Sequence, residues 1–206
     1  MTEKEKHTEE KIAEAAREVF IEKGMDGARM QEIADKAGIN KSLLHYYFRS
    51  KEKLFNFVLS KIMSIIGSRL GVIMQEDVAI IDKVKAFVDL YTDLLLKNPF
   101  LPNFIFNEIT RNPDGLIDRF STANIKPGEF IKPLERQLKK EGYSINPHDF
   151  VLNLLSMVIF PVAGRPIIQI LLFEGDSSAY KKYIVSRKES IVTYVMYALE
   201  GYRIKQ

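Results

Sequence analysis

The chain has 206 residues, of which 46% are hydrophobic and 28% are charged, as in an ordinary soluble globular protein. It contains no cysteine, which excludes disulfides, thiol nucleophiles, thiolate metal sites and cysteine redox sensing. The net charge of +3 is unevenly distributed: residues 1–35 hold 6 basic and 10 acidic side chains, whereas residues 36–53 hold 5 basic and 1 acidic. The basic segment is typical of a surface that meets an anionic partner.

The first predicted helix extends from Thr8 to Gly24. Thr8 is a favoured N-cap residue, and the glutamates that follow it suit the positive end of the helix dipole. Apolar residues at helical spacing predict a buried stripe formed by Ile12, Ala15, Ala16, Val19 and Phe20. Together with two shorter helices that follow, this helix predicts a three-helix head.

A tight turn separates the two shorter helices. Apolar residues at helical spacing predict a buried face on the first of them: Met30, Ile33, Ala34 and Ala37. Gly38 ends that helix, because glycine adopts a left-handed conformation at the lowest cost. Asn40 is a favoured N-cap for the next helix. The inner face of this next helix is predicted to consist of Leu43, Leu44 and Tyr47.

The outer face of the second short helix is polar and consists of Lys41, Ser42, His45 and Tyr46. Ser50 is predicted to cap a further helix, whose first residue, Lys51, places a positive charge at the helix end that favours anions. Two helices held across a glycine turn, the second short and polar outside, form a helix-turn-helix. The basic charges coincide with this motif, which favours DNA as the anionic partner over an incidental solvated surface.

The stretch FIEKGMDGARMQEIADKAGINKSLLHYYFRSKEKLF resembles the DNA-binding domain of TetR-type (TetR/AcrR) transcriptional regulators. The resemblance covers about the first quarter of the chain and lies in the helix-ending glycine, the Ala-Gly turn, the recognition-helix phenylalanine and the Lys-Glu-x-Leu that opens the fourth helix. It implies base-edge contacts for Lys41, Ser42 and Tyr46. It implies phosphate contacts for Arg29, His45 and Lys51. Arg29 stands where the family commonly has threonine, and His45 stands where it commonly has tyrosine.

The remaining chain predicts long apolar helices separated by proline and glycine, at 51–74, 78–97, 100–111, 114–141, 148–174 and 177–203. The 114–141 segment contains internal prolines, so two helices or one bent helix are predicted there. No run alternates with period two, so no sheet is expected. The predicted fold is all-α, with a helix-turn-helix DNA-binding domain at 1–50 and a ligand-binding and dimerisation domain at 51–206.

The resemblance also implies a dimer and a ligand pocket in this larger domain. The last two long helices, 148–174 and 177–203, match the family's dimer interface, with Leu155 and Val195 expected among its contacts. The residues predicted to line the pocket are Asn103, Phe104, Asn107, Met157, Phe160 and Arg165. The alternative for the aromatic residues is plain core. The alternatives for Arg165 are an ion pair with a carboxylate and hydrogen bonds to the carbonyls freed at the proline break. The apolar stretch 150–173 also allows a membrane span, although Arg165 and two prolines interrupt it.

These observations together predict a cytoplasmic, homodimeric transcriptional regulator. It is expected to bind a palindromic double-stranded DNA operator and to release it on binding a small, largely apolar effector, as a repressor. No cofactor and no metal site are predicted, because the three histidines are scattered and no phosphate-binding loop or nucleophile motif is present. The alternatives are an architectural DNA-binding protein without a ligand and a helical enzyme.

Overall fold

The computed structural model describes residues 3–111, 113–123, 125 and 127–204. Within these residues it contains eleven α-helices and no strand, which confirms the predicted all-α fold. The helices are α1 (Glu3–Gly27), α2 (Met30–Lys36), α3 (Lys41–Tyr47), α4 (Lys51–Gln75), α5 (Ile80–Lys97), α6 (Leu101–Arg111), α7 (Pro113–Thr122), α8 (Pro127–Lys140), α9 (Pro147–Ala163), α10 (Arg165–Phe173) and α11 (Ser177–Gly201). An isolated antiparallel bridge joins Tyr143 and Arg203.

Two predicted helices, the first one and the one at 148–174, differ from the observed ones. The first begins at Glu3 rather than Thr8, because the charged residues before Thr8 continue the helix and place glutamates in its first turn. Gly24 interrupts it with a φ of 68°, at the residue where the helix was predicted to end. The segment at 114–141, predicted to be two helices or one bent helix, is two helices, α7 and α8.

The prediction of one continuous helix at 148–174 is wrong. It is broken between α9 and α10, whose axes differ by 78°. Gly164 forms the junction, and Pro166 occupies the first turn of α10. Proline has no N–H, and its ring clashes with the preceding turn when it lies inside a helix, so Pro166 favours a new helix start at its position.

The described residues cluster into two compact units. The first, called the head here, comprises Met1–Gly67 and Ile117–Asn124. The predicted stripe of α1 is buried in it, as are Ile33, Leu44 and Leu54. The rings of Phe20 and Phe55 pack edge to face in this core, with centroids 4.9 Å apart.

The second unit, called the body here, comprises Ser68–Leu116 and Ile125–Gln206. In it α5 packs against α9 and α11, and α9 also contacts α6, α8, α10 and α11. Lys188 of α11 forms ion pairs with two carboxylates of α5, at 3.3 Å from Asp89 and 2.6 Å from Asp93. The hydroxyl of Tyr180 donates a buried hydrogen bond of 3.0 Å to the Pro161 carbonyl, beside the break between α9 and α10. The functional division at residues 50 and 51 stays a prediction.

Among the described residues, two segments are long and apolar enough by composition to cross a membrane: α4, and α9 with α10 if the bent pair is counted as one span. Buried helices of soluble proteins have the same composition. In α4, eight residues from Leu54 to Gly67 are buried within the head.

Candidate functional site

The turn between α2 and α3 has the predicted geometry. Gly38 has a φ of +63°, the left-handed conformation that favours glycine. The N–H of Gly38 donates to the Asp35 carbonyl at 3.0 Å, and the N–H of Ile39 donates to the Ala34 carbonyl at 3.0 Å. These two hydrogen bonds form a Schellman motif, which satisfies the last carbonyls of α2 and fixes the direction in which the chain leaves it.

The next helix begins with the predicted cap. The Asn40 side chain accepts a 2.7 Å hydrogen bond from the N–H of Leu43. Ser50 caps α4 in the same way, accepting a 3.1 Å hydrogen bond from the N–H of Lys53. Both caps satisfy amide groups that the first turn of a helix leaves free, so the start of each helix is fixed by its own sequence.

The recognition helix α3 presents a polar face to solvent. Lys41, Ser42, His45 and Tyr46 are all exposed, and Leu44 on the opposite side is fully buried. The prediction that Leu43 faces inward is wrong, since it is 37% exposed. In a helix of only two turns the buried face is narrow, and Phe48, just beyond the helix end, is buried beside Leu44 instead. The side chains predicted to meet DNA are therefore together on one accessible surface.

Arg29 and Lys51, the other predicted phosphate contacts, flank the segment between α1 and α2. Arg29 is exposed and occupies the N-cap position of α2 without a capping hydrogen bond from its side chain. Lys51 is half-buried, and its ammonium donates to the main-chain oxygens of Asp26 at 3.0 Å and Ala28 at 3.2 Å. Lysine has three donors, so one N–H of Lys51 is left for a phosphate.

The charges of the basic segment are not all available to DNA. Lys36 lies 2.8 Å from a carboxylate oxygen of Glu18 and 3.1 Å from one of Glu22. Hydrogen bonds from Lys36 to these carboxylates raise the pKa of the lysine. Lys41, Arg49 and Lys53 are exposed and form no ion pair with any described residue. The positive charge is thus concentrated at α3 and the start of α4.

The body contains a cavity of about 180 Å³. Side chains of α4, α5, α8 and α9, together with Ile125, line it and are almost all apolar. They include Leu70, Phe87, Phe130, Phe150, Leu154 and Leu155. An apolar cavity of roughly 150 Å³ is large enough for benzene, so this cavity can hold one ring or a short chain.

Lys83 and Tyr91 of α5 also line the cavity, but through their apolar atoms, since its accessible wall contains no polar surface. Lys83 is 8% exposed, and its ammonium donates a 3.0 Å hydrogen bond to the main-chain oxygen of Met74. The ring of Tyr91 stacks on that of Phe87, with centroids 4.5 Å apart. Burial raises the pKa of Tyr91 to about 12, so its phenol is neutral at physiological pH.

None of the six predicted ligand residues lines this cavity. Asn103, Phe104 and Asn107 lie on α6, where both asparagines are exposed; Met157 lies on α9. Phe160, near the end of α9, is 65% exposed. Arg165 donates a 3.1 Å hydrogen bond to Gln169, and its guanidinium lies 5.5 Å from the centre of the Tyr180 ring. Their roles as ligand contacts stay predictions.

Sequence reasoning overlooked Lys83 and Tyr91 because it searched for dense aromatic clusters. The signal was present in α5, where Ile80, Val84 and Phe87 recur at helical spacing on one apolar face. Lys83 and Tyr91 occupy positions on that same face. A lysine within an apolar stripe marks either a snorkelling side chain or a buried charge, and the structure shows a buried one.

Within the described ranges, no group of three or more His, Cys, Asp or Glu side chains could hold a metal ion. The site is instead a Schellman turn, two capped helices and an exposed polar recognition helix with uncompensated cations. This arrangement is a helix-turn-helix, the motif that many DNA-binding proteins place in the major groove.

Comparison with known proteins finds a family match in the head. Residues 12–58 match the model described as "Bacterial regulatory proteins, tetR family". Over these residues the chain is similar to the TetR-type family of helix-turn-helix regulators. It is similar to the HTH-type transcriptional regulator RutR of Escherichia coli, with 31% identity over 115 residues, or 56% of this chain and 53% of RutR. The chain therefore spans about half the length of that relative.

Two further comparisons extend over most of the chain. The probable HTH-type transcriptional regulator YttP of Bacillus subtilis is 23% identical over 178 residues, which cover 84% of this chain and 86% of YttP. The crystal structure of FadR from Bacillus subtilis, in complex with stearoyl-CoA, has a TM-score of 0.64 and 15% identity. That match covers 89% of this chain and 95% of FadR and establishes a common fold.

Proposed function

We propose that this protein is a transcriptional regulator that binds a palindromic DNA operator as a homodimer and releases it when a small, largely apolar effector binds. The observation that carries the proposal is the exposed polar face of α3, held by the turn at Gly38 and the cap at Asn40. A rigidly held helix with free cations is suited to entering a major groove.

The proposed DNA contacts divide by chemistry. Lys41, Ser42 and Tyr46 would reach base edges, since they lie at the exposed start and middle of the recognition helix. Arg29, His45 and Lys51 would bind phosphates and set the position of that helix. Lys51 also lies in the first turn of α4, where the helix dipole favours an anion.

Dimerisation is proposed from apolar side chains that the body leaves uncovered. They lie on α9, α10 and α11, which pack on one another, and are Leu152, Phe160, Ile167, Ile170, Leu171, Leu172, Tyr194, Met196 and Tyr197. Each of them is between 48% and 72% exposed, which a soluble chain rarely shows over so many large residues. The earlier candidates Leu155 and Val195 are poorer choices, because Leu155 lines the cavity and Val195 is 4% exposed.

The effector site is proposed to be the cavity lined by α4, α5, α8 and α9. Its accessible wall is entirely apolar, which suits an apolar molecule. The effector would release DNA only to the extent that it binds the DNA-free arrangement more tightly than the DNA-bound one. The proposal has no catalytic step and places the protein in the cytoplasm with its DNA.

The test is a selection of binding sites from a pool of random DNA duplexes with the purified full chain. We expect an enriched inverted repeat whose half-sites lie about one helical turn apart. Titrations at two salt concentrations should then show tighter binding to this repeat than to a scrambled duplex of the same composition. Recovery of no common sequence, or equal affinity for both duplexes, would contradict sequence-specific regulation.

A further inference from the structure

The accessible wall of the body cavity contains no polar surface. Most ligand sites combine an apolar wall with a few polar groups that fix the orientation of the ligand. In this cavity Lys83 and Tyr91 contribute only apolar atoms, and every other lining side chain is apolar. A ligand inside the cavity therefore meets neither a hydrogen-bond donor nor an acceptor from the protein.

The polar atoms of Lys83 and Tyr91 lie away from the cavity. The Lys83 ammonium donates a 3.0 Å hydrogen bond to the main-chain oxygen of Met74. The Tyr91 ring stacks on that of Phe87, and burial raises the pKa of Tyr91 to about 12, so its phenol carries no charge. Among the described residues that line the cavity, none has a buried side-chain polar atom without a hydrogen-bond partner. No buried polar group of the wall is thus left to pair with a ligand.

The cavity borders an open cleft of about 660 Å³, and Met74 and Lys83 line both spaces. The cleft carries three acidic and three basic side chains, which are Glu76, Asp77, Glu141, Lys83, Arg136 and Lys140. Their formal charges cancel. The border therefore offers no net counter-charge that would compensate an ion for its lost water, whichever sign the ion has.

We propose that the effector is an uncharged hydrocarbon of one ring, or a chain of similar volume, bound without a hydrogen bond to the protein. This inference rests on the proposed function, because it names the chemical class of the effector at the same site. A cavity of about 180 Å³ is slightly larger than the roughly 150 Å³ that binds benzene. The burial of apolar surface alone drives the binding.

The lack of polar partners makes the cavity selective against polar relatives of its ligand. A hydroxyl group that enters it loses its hydrogen bonds to water and gains none from the protein. This loss corresponds to a decrease in affinity of about tenfold or more. A carboxylate or an ammonium loses more, because an unpaired charge costs more to bury than a neutral polar group.

The experiment compares four compounds that each carry one ring and one small substituent: toluene, phenol, benzoate and benzylammonium. Calorimetry and thermal shift measure the binding of each compound to the full chain. We expect toluene to bind about tenfold or more tightly than phenol, because only phenol leaves a hydroxyl without a partner. The two ions should bind more weakly than phenol.

Val151→Phe tests whether toluene occupies the cavity. Val151 lines it, so the larger ring should fill part of the space and lower the affinity for toluene by about tenfold or more. Val72→Phe is the matched control, since Val72 is 59% exposed on α4 and does not line the cavity. This variant should bind toluene as the wild type does.

The proposal is overturned if phenol or either ion binds as tightly as toluene, or if toluene does not bind. An unchanged affinity of Val151→Phe for toluene would also overturn it, by placing the binding elsewhere. If Val151→Phe fails to fold, the comparison of the four compounds on the wild-type protein still decides. The proposed function is tested separately, since it fails if toluene binds with this selectivity but does not weaken binding to the selected operator.

Discussion

The ammonium of Lys51 lies 3.0 Å from the main-chain oxygen of Asp26 and donates a hydrogen bond to it. The first residue of α4 therefore holds the chain segment that joins α1 to α2. A second hydrogen bond, to the Ala28 carbonyl at 3.2 Å, strengthens this link. Lys51 thus has a structural role in the head in addition to its predicted contact with phosphate, and the two roles can be separated by experiment.

Lys51→Ala is expected to change both DNA binding and stability. Loss of a phosphate contact should weaken binding to all duplexes alike and reduce the salt slope by about one unit per head. Loss of two hydrogen bonds from a charged group should lower the free energy of unfolding by about 1–3 kcal/mol. Lys53→Ala is the control, since Lys53 is exposed and its ammonium contacts no described residue. Unchanged stability of Lys51→Ala would contradict the structural role.

Lys41→Ala should weaken binding to the selected operator by roughly 1–3 kcal/mol and relax the preference at one symmetric base position. Lys36→Ala is the comparison, because Lys36 is paired with Glu18 and Glu22 and should contribute little to DNA binding. Fluorescence titrations of both variants against operators with single substitutions provide the measurement. An equal loss in the two variants would show that Lys41 acts only through its charge.

Gly38→Ala tests the turn. Its φ of +63° is strained for any side chain, so we expect a loss of about 1–2 kcal/mol in the free energy of unfolding and weaker operator binding. Gly71→Ala is the opposite case, because Gly71 lies within α4 with open space around its Cβ position. Alanine there should raise stability by roughly 0.5–1 kcal/mol. Denaturant titrations measure the free energy of unfolding of both variants. A Gly38→Ala variant that is more stable than the wild type would contradict the left-handed turn.

Asp176 should make the stability of the body depend on pH. Its carboxylate accepts hydrogen bonds from the N–H groups of Ala179 and Ser178, which lower the pKa of Asp176 in the folded state. The stabilisation is therefore complete above about pH 4 and is lost as the pH falls through the folded-state pKa. We expect Asp176→Ala to have a lower thermal midpoint than the wild type at pH 7. This difference should become smaller as the pH is lowered to 3. Asp176→Asn, which keeps a cap that does not ionise, should deviate from the wild type by a smaller amount at pH 7.

Ile170→Glu tests the dimer. Ile170 is 67% exposed on α10, and a carboxylate there would enter an apolar interface and lose its water. We expect a folded monomer that binds the operator much more weakly. Ile109→Glu, which replaces an isoleucine that is 50% exposed on α6, should sediment as the wild type does. If the wild-type protein sediments as a monomer at micromolar concentration, the proposed dimer is wrong.

Local signals explain why the head could be predicted from sequence. Gly38, Asn40 and Ser50 each act through hydrogen bonds to residues at most five positions away, so their effect is readable from spacing alone. The break at Gly164 could also have been foreseen from Pro166, but the apolar composition of 148–174 masked it.

The ligand cavity could not be predicted, because its walls come from distant segments. Leu70, Phe87, Phe130 and Phe150 meet only in the folded body, and no spacing in the chain relates them. The same limit applies to Lys51, whose carbonyl partners lie 23 and 25 residues earlier. Sequence patterns predict which face of a helix is buried, but not which buried residues leave a space between them.

The apolar cavity of the body has a consequence for the lifetime of the protein in the cell. An effector that fills the cavity would raise the stability of the folded protein as its concentration passes the dissociation constant. Because proteases act on the unfolded fraction, the protein would be degraded more slowly when the effector is abundant. The same molecule that removes the regulator from DNA would then increase its supply, which limits how long the regulated genes stay active.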